Sequence, residues 1–274
     1  TGNTIILDRL SGEPIFDFRQ RKAPRSKLPG EKTAYYQPDL ELPQPFAKQF
    51  FSKDDVTNIS LESSEYINKE IENSNYGFFE PHELNKKTIL FGFHGGAEWM
   101  GGSVNNDNGM MYITSHNIPT VGMIHETENK NSYYKYYSSF KRLLDENGYP
   151  GSKPPWGNLT ALDLNSGKIK WQVPFGEYEE LTKLGVSLTG TENFGGATGT
   201  AGDLIFATGT LDKKIRAFNS INGEEVWSYK MDYVGSGPPS IYSINDDQYI
   251  VVASTGSYSL SKPYSTEFGN LLYC

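Results

Sequence analysis

Cysteine is nearly absent from this chain, and its scarcity limits the chemistry that the chain can perform. Cys274 is the one cysteine among 274 residues, which excludes an internal disulfide and a zinc site built on thiolates. Lysine and arginine total 25 against 33 acidic residues, for a net charge of −8. Because phosphate neutralisation needs a basic face, nucleic-acid binding is disfavoured. No apolar run approaches the length that spans a membrane, and no signal peptide is visible.

Motifs for several other kinds of chemistry are also missing. No Gly-x-Ser-x-Gly elbow supports a hydrolase, and no Cys-x-x-Cys-His run is present to attach haem. The glycines between 195 and 202 precede a predicted strand rather than a helix, which disfavours a phosphate-binding loop. The histidines show no i, i+4 pair on a helix, so a metal site is disfavoured. His94 or His116 could face a substrate, although a loop histidine with nearby partners is the simpler interpretation; the other two are His82 and His125.

A repeated eleven-residue pattern is the strongest positive signal. Residues 161–171 read ALDLNSGKIKW and residues 217–227 read AFNSINGEEVW. A weaker copy at 6–16 has Ile6 in place of alanine and Phe16 in place of tryptophan. In each copy an apolar strand ends at a polar residue, a glycine supplies the turn, and a second strand carries the aromatic side chain. Because one hairpin cannot bury its own aromatic side chain, such units must stack on neighbours, as in a β-propeller.

The rest of the chain is predicted to consist of short strands with a few helices. Glycine is frequent (28 residues), as are aromatic residues (14%), and charged residues are few (21%), which favours strands and tight turns. Helices are predicted over 60–72 and over 131–147, where tyrosines recur on one face. The run 105–109 is interpreted as a hairpin turn rather than a calcium loop, because Val104 and Ser115 stand where an EF-hand needs carboxylates. Strands are predicted at 88–93, 110–115, 159–163, 169–173, 196–200, 203–208, 214–218, 224–229, 238–244 and 248–254.

The repeat resembles the tryptophan-docking repeat of the eight-bladed quinoprotein alcohol and glucose dehydrogenases. In that family the aromatic residue at position eleven wedges between blades, near the alanine at position one and the glycine of the next repeat. Four further segments are similar to the membrane glucose dehydrogenase-like branch of the pyrroloquinoline quinone (PQQ) enzymes, namely 1–3 with 7–9, 95–99, 148–150 with 154–157, and 189–196.

The resemblance implies an all-β fold, a partial eight-bladed β-propeller with short helical insertions. We expect residues 1–274 to form the C-terminal part of one propeller domain, truncated at both ends. Two inter-blade excursions are expected, at about 19–87 and about 117–157.

The resemblance also implies a function. A PQQ-dependent dehydrogenase oxidises the C–OH group of a sugar or an alcohol and passes electrons to a quinone or a cytochrome, with Ca²⁺ beside the cofactor. The expected location is the periplasm, with attachment to the inner membrane through a preceding N-terminal part. The catalytic aspartate and the calcium ligands are expected outside this chain, so the chain alone is predicted to be inactive. The alternative is a non-catalytic propeller scaffold for protein interaction, which resembles the lipoprotein of the outer-membrane barrel-assembly machinery.

Five residues are predicted to contact the cofactor. A carboxylate and an aromatic ring that follow a Gly-Gly strand end, Glu98 and Trp99, suit a planar polar ligand at the rim of a sheet. The alternative for Glu98 is a rim carboxylate bonded to backbone. By resemblance, Thr114 stands where the glucose enzymes have an asparagine at the quinone, and Ser236 lies in a cofactor-facing loop. Phe194 stands at the place of an in-plane aromatic residue of the methanol enzymes, with core packing as its alternative.

Overall fold

Short strands make up most of the computed structural model, which describes residues 2–91, 96–186, 188–256 and 267–274. Within these residues the helical segments are α1 (Leu61–Glu70), α2 (Glu179–Lys183) and a 3-10 turn at Lys53–Asp55. The strands in chain order are β1 (Arg19–Lys22), β2 (Tyr36–Asp39), β3 (Asn75–Tyr76), β4 (Thr88–Leu90), β5 (Gly102–Asn105), β6 (Met110–His116), β7 (Thr120–Glu126), β8 (Tyr136–Arg142), β9 (Gly157–Asp163), β10 (Lys168–Pro174), β11 (Asn193–Gly199), β12 (Leu204–Thr210), β13 (Lys214–Asn219), β14 (Glu225–Lys230), β15 (Ser240–Ile244), β16 (Asp247–Gly256) and β17 (Phe268–Tyr273).

Two of the four-stranded sheets are interleaved along the chain. One has the order β10-β9-β6-β5 and the other the order β3-β4-β7-β8. Strands β7 and β8, which lie between β6 and β9 in the sequence, therefore belong to a different sheet from those two strands. The strands β11 to β14 then form a four-stranded meander, and β15 to β17 form a three-stranded sheet. No copy of the eleven-residue repeat lies in the β3-β4-β7-β8 sheet, since the second and third copies occupy β9–β10 and β13–β14.

Aromatic residues of the repeat dock on the glycine turn of the next copy, as the resemblance predicts. A methyl group at Gly223 would lie 2.7 Å from Cε3 of Trp171, and the Trp171 indole Nε1 donates to the carbonyl of Ser220 at 2.9 Å. A methyl group at Gly167 would likewise lie 3.1 Å from Cζ of Phe16. The docking is thus confirmed for two copies of the repeat.

The predicted strands from residue 159 onward all appear, with ends that shift by three residues or fewer. The turn at 105–109 is confirmed, since Gly109 has a φ of 70° and its N–H donates to the carbonyl of Asn105 at 2.9 Å. The helix near 60–72 is confirmed as α1, which Ser60 caps by accepting a bond from the N–H of Ser63 at 3.0 Å. The end of the strand predicted at 88–93, and His94, lie outside the described residues.

The helix predicted over 131–147 is wrong. Its central part is strand β8, which pairs with β7 in seven consecutive antiparallel positions from Thr120↔Arg142 to Glu126↔Tyr136. Tyrosine and phenylalanine favour strands, and the helical spacing of the tyrosines does not correspond to a buried helix face. Because β7 offers a full row of backbone partners, pairing satisfies more peptide groups than an isolated helix of this composition would.

The all-β fold with short helical segments is confirmed by this arrangement. The largest core joins two neighbouring sheets, where the buried side chains of Tyr112, Leu159, Phe175, Ile205 and Phe218 pack together. A second core places α1 beneath the β3-β4-β7-β8 sheet, with Phe51, Ile67, Ile89 and Val121 among its members.

Candidate functional site

The segments that lead into three neighbouring sheets meet at one end of the fold. Met100 precedes β5, Gly196 lies near the start of β11, and Pro238 precedes β15. A methyl group at Gly196 would lie 2.9 Å from Cβ of Met100 and 3.2 Å from Cγ of Pro238. Strand starts that converge in this way form a rim where side chains from different sheets can share one ligand.

Four of the five residues predicted to contact the cofactor lie on these segments, and the fifth, Thr114, lies on β6. Glu98 and Trp99 lie four and three residues before β5, Phe194 is the second residue of β11, and Ser236 lies four residues before β15. Thr114 lies on β6 beside the start of β5, because Gly102 pairs with Ile113. Among these five, Glu98 and Phe194 are brought together, because both contact His116.

A carboxylate–imidazole pair forms the centre of this rim. Oε1 of Glu98 lies 3.1 Å from Nε2 of His116, and both side chains are nearly buried, at 10% and 2% exposure. The His116 ring also contacts the Phe194 ring, with centroids 5.8 Å apart. The backbone N–H of His116 donates to the carbonyl of Gly96 at 2.7 Å, which fixes the imidazole beside the Glu98 segment. His116, which the sequence suggested only as one of two histidines that could face a substrate, thus links two of the five predicted residues.

One atom of this histidine lacks a protein partner. Nδ1 of His116 is buried and has no hydrogen-bond partner among the described residues. When the Nε2–H donates to the Glu98 carboxylate, Nδ1 carries a lone pair and can accept a bond from a ligand. A buried polar atom without a partner is costly, so a ligand that supplied a donor here would gain free energy.

A buried ion pair links the segment that carries Phe194 to strand β8. Arg142 at the end of β8 bonds Glu192 through Nη2 and Oε1, with side-chain exposures of 4% and 0%. Nη1 of Arg142 also lies 3.4 Å from Oγ1 of Thr120. Glu192 directly precedes Asn193, whose Nδ2 donates to the carbonyl of Ser115 at 2.9 Å. The pair therefore ties the β3-β4-β7-β8 sheet to the segment that carries Phe194.

The ion pair was not found by sequence reasoning. Glu192 belongs to the 189–196 segment that carries the family resemblance, but nothing along the chain identifies Arg142 as its partner. The available signal was a charge inside a stretch of small residues, which needs a counter-ion if it is buried. Removal of one member of such a pair typically costs about 3–5 kcal/mol, because the other charge remains buried.

The remaining predicted residues differ in what they can offer a ligand. The Trp99 indole is 76% exposed and is free to cover a planar group. Thr114 is 2% exposed and lies two residues before His116, so it shares that face of β6. The Ser236 hydroxyl donates to the carbonyl of Gly256, which leaves only its lone pairs for a ligand.

These groups fit one side of a planar, polar cofactor such as PQQ. The open indole of Trp99 and the ring of Phe194 suit the faces and edges of a planar ligand, and Nδ1 of His116 suits a donor on it. Within the described residues, no three His, Cys, Asp or Glu side chains converge as metal ligands. The rim therefore has groups for the organic cofactor, and we assign it no calcium ligand.

A separate cleft lies elsewhere on the described structure. It has a volume of about 440 Å³ and is lined by residues of the N-terminal segment, of 38–50 and of 77–91, none of which is among the five. None of the helices in the described part of the chain has the length and apolar character needed to cross a bilayer.

Comparison with known proteins identifies relatives over nearly the whole chain. Quinoprotein glucose dehydrogenase A of Acinetobacter calcoaceticus is 26% identical over a match that covers 99% of this chain and 37% of that protein. Quinate/shikimate dehydrogenase (quinone) of Acinetobacter baylyi is 24% identical and is matched over 94% of this chain and 35% of that protein. The glycerol dehydrogenase large subunit of Gluconobacter oxydans is 26% identical, over 97% of this chain and 40% of that protein. The chain thus spans between one third and two fifths of the length of these relatives.

A solved structure shows the same fold. The europium-containing methanol dehydrogenase superposes with a TM-score of 0.53 over 92% of this chain and 34% of that chain, at 17% identity. Residues 1–250 match the family model described as PQQ glucose/ethanol/alcohol dehydrogenase, beta-propeller domain. The resemblance inferred from the tryptophan repeat is confirmed, and the chain belongs to the PQQ β-propeller family of glucose, ethanol and alcohol dehydrogenases.

Proposed function

We propose that this chain is part of a PQQ-dependent dehydrogenase that oxidises the C–OH group of a sugar or an alcohol. The observation that carries the proposal is the Glu98–His116 pair beside Phe194, at the rim where three sheets begin, in a chain of this family. Relatives named for glucose, quinate or shikimate, and glycerol all take small molecules that carry hydroxyl groups. A quinone or a cytochrome is the proposed electron acceptor, and the periplasm, with attachment to the inner membrane, is the proposed location.

The residues of this chain would hold and orient the cofactor. PQQ, when bound, supplies the two-electron acceptor for the alcohol carbon. Glu98 fixes the His116 imidazole through Nε2, and Nδ1 would then accept a bond from the cofactor or the substrate. Trp99 and Phe194 would lie against the ring system, and Thr114 would add a hydroxyl on the same face as His116.

Other groups of the reaction are proposed to lie outside this chain. As the family resemblance implies, Ca²⁺ would accompany the cofactor, and its ligands and the catalytic base would come from regions of the relatives that this chain does not match. The contribution of the described rim is therefore binding and positioning rather than proton abstraction from the substrate.

Titration of the PQQ-free full-length protein with PQQ tests this proposal. Glu98 orients the imidazole that would bond the cofactor, and a hydrogen bond to a charged group contributes about 1.5–3 kcal/mol. Glu98→Ala should therefore weaken PQQ binding, by at most about 10- to 150-fold, while the protein stays folded. Glu98→Gln, which keeps a hydrogen-bonding oxygen, should lose less. Glu62→Ala is the matched control, since Glu62 is exposed in the first turn of α1.

Dye reduction separates the two functions considered for this chain. If it is a dehydrogenase, the full-length protein should reduce an artificial electron acceptor only when both PQQ and a sugar or alcohol are present. A stably folded protein that shows no detectable PQQ binding would instead favour the propeller scaffold for protein interaction. A titration that is the same for Glu98→Ala as for the unchanged protein would remove Glu98 from the site.

A further inference from the structure

The cleft of about 440 Å³ is separate from the rim that we assign to the cofactor. Its walls come from the N-terminal segment, from the chain just before the 3-10 turn, from the approach to β4 and from β4 itself. Its volume falls within the range of about 300–1,000 Å³ that is usual for small-molecule sites. Aromatic rings contribute much of the wall, namely those of Phe50, Phe78, Phe79 and Phe91.

A histidine that lines this cleft, His82, packs against one face of the β3-β4-β7-β8 sheet. Thr88 of β4, Gly122 of β7 and Phe140 of β8 are direct cross-strand neighbours, so their side chains project from one face. The His82 ring occupies the space that Gly122 leaves, because a methyl group at Gly122 would lie 2.6 Å from its Cε1. The ring also meets Phe140 edge-on, with centroids 6.4 Å apart. The glycine thus makes room for an imidazole next to the Thr88 side chain.

Three polar atoms of residues that line this cleft lack a protein partner. Oδ1 of Asn3, Nδ1 of His82 and Oγ1 of Thr88 are buried and have no hydrogen-bond partner among the described residues. The orientation of the Asn3 amide is fixed, because its Nδ2 donates to Oε1 of Gln49 at 2.5 Å and Nε2 of Gln49 donates to the carbonyl of Ala47. Asn3 therefore offers an acceptor, and Thr88 offers both a donor and an acceptor.

The charges at the cleft exclude an anion. Lys48 is the one lysine or arginine that lines it among the described residues, and its ammonium group is paired with Asp55. Asp39 is paired with Arg19. Burial lowers the pKa of His82, so its ring is neutral at neutral pH. The unpartnered atoms are therefore neutral donors and acceptors beside aromatic surface.

We propose that this cleft binds a neutral polyhydroxylated small molecule, a polyol or a sugar. Hydroxyl groups can donate to Asn3 and both donate to and accept from Thr88, while the C–H faces of such a ligand pack on phenylalanine rings. The site shares no residue with the proposed cofactor rim and does not depend on the function proposed for it.

The test uses methyl α-D-glucopyranoside, whose blocked anomeric carbon separates binding from oxidation at that position. The ligand is titrated into the protein in the absence of PQQ and is followed by ligand-observed NMR. A neutral ligand of this size should bind with a Kd on the order of 1 mM. D-gluconate, an anion of similar size, should bind more weakly.

Two pairs of variants locate the site. Thr88→Val should weaken binding by about 3- to 10-fold through the loss of one neutral hydrogen bond. Thr57→Val is its control, because Thr57 is also buried with an unpartnered hydroxyl but does not line the cleft. Phe79→Ala should weaken binding through the loss of aromatic surface, whereas Tyr133→Ala, at a 93% exposed tyrosine elsewhere, should not.

Both valine variants should fold as well as the unchanged protein, since each replaces a hydroxyl that makes no bond. Absence of saturable glucoside binding would overturn the proposal, as would tighter binding of gluconate than of the glucoside. Equal losses in Thr88→Val and Thr57→Val would also overturn it. PQQ binding that fails while the glucoside still binds at this cleft would refute only the cofactor proposal.

Discussion

Two copies of the same eleven-residue repeat have the same local structure but different surroundings. In both, the alanine at position one pairs across the hairpin with the tryptophan at position eleven, Ala161 with Trp171 and Ala217 with Trp227. Trp171 packs on the turn of the next copy at Gly223. The side chain of Trp227 is 49% exposed and stacks on the neighbouring Tyr229.

The difference follows from what the next sheet presents. The copy after Trp171 offers a glycine, over which the indole fits, and the carbonyl of Ser220, to which the indole donates. The sheet after Trp227 has β15, β16 and β17 as its described strands, and none of the described glycines lies against the Trp227 indole in this way. The motif therefore specifies a hairpin with an aromatic residue, and the neighbour decides whether that residue is buried.

Replacement of the two tryptophans should show the largest effect of this difference. Trp171→Ala should lower the free energy of unfolding by about 3–5 kcal/mol, since it empties a docked aromatic site. Trp227→Ala should cost about 1 kcal/mol or less, because half of that ring already meets water. Urea unfolding of both variants measures the two values, and equal costs would mean that Trp171 is not docked between sheets.

An alanine in the docking turn should have the next largest effect. Gly223 and Gly12 both have a φ of 75°, but a methyl group meets Trp171 at Gly223 and nothing within 4 Å at Gly12. Gly12→Ala should therefore cost only the strain of the left-handed conformation, about 1–2 kcal/mol.

At Gly223 the overlap with the indole adds about 1–3 kcal/mol to that strain, so Gly223→Ala should cost about 2–5 kcal/mol. The same unfolding measurement compares the two variants. If Gly12→Ala costs as much as Gly223→Ala, backbone strain alone explains both, and the close approach of Trp171 contributes nothing.

The smallest expected effect concerns the polar residue that ends the first strand of each copy. Oδ1 of Asp163 accepts from the N–H of Asn165 at 2.9 Å, and Oδ1 of Asn219 accepts from that of Ile221 at 2.8 Å. A hydrogen bond from the Ser166 hydroxyl is the main cause that lowers the pKa of Asp163 from 3.8 to about 2. Asn219 does not titrate, so only the turn at Asp163 should have a stability that changes with pH.

Because the folded pKa of Asp163 lies below its unfolded value, its stabilising contribution is present above about pH 4 and is lost as the pH falls towards 2. Asp163→Asn should therefore make the melting temperature fall less between pH 5 and pH 2 than it does in the unchanged protein. The mirror substitution Asn219→Asp should make it steeper. A pH profile that Asp163→Asn leaves unchanged would show that this carboxylate does not stabilise the turn.

Several features were predictable because they depend on neighbours along the chain. The turn at Asn108–Gly109, the cap at Ser60 and the hairpins of the repeat follow from the conformational preferences of a few adjacent residues. The family resemblance also followed from residues in order along the chain. The helix over 131–147 failed for the opposite reason, since the partner that makes it a strand, β7, begins at Thr120 and pairs only in the folded sheet.

The sequence by itself determined the hairpins, the all-β class and the family, because these are written in short-range patterns of turn residues and alternating strands. Tertiary structure alone decided that Glu98 meets His116, that Arg142 meets Glu192 and that His82 lies over Gly122. Each of these contacts joins residues at least 18 positions apart in the chain, and the Arg142–Glu192 pair also joins one sheet to the segment that leads into another. Polar side chains of this kind carry no local signal of their partner, since many positions could satisfy them and only packing selects one.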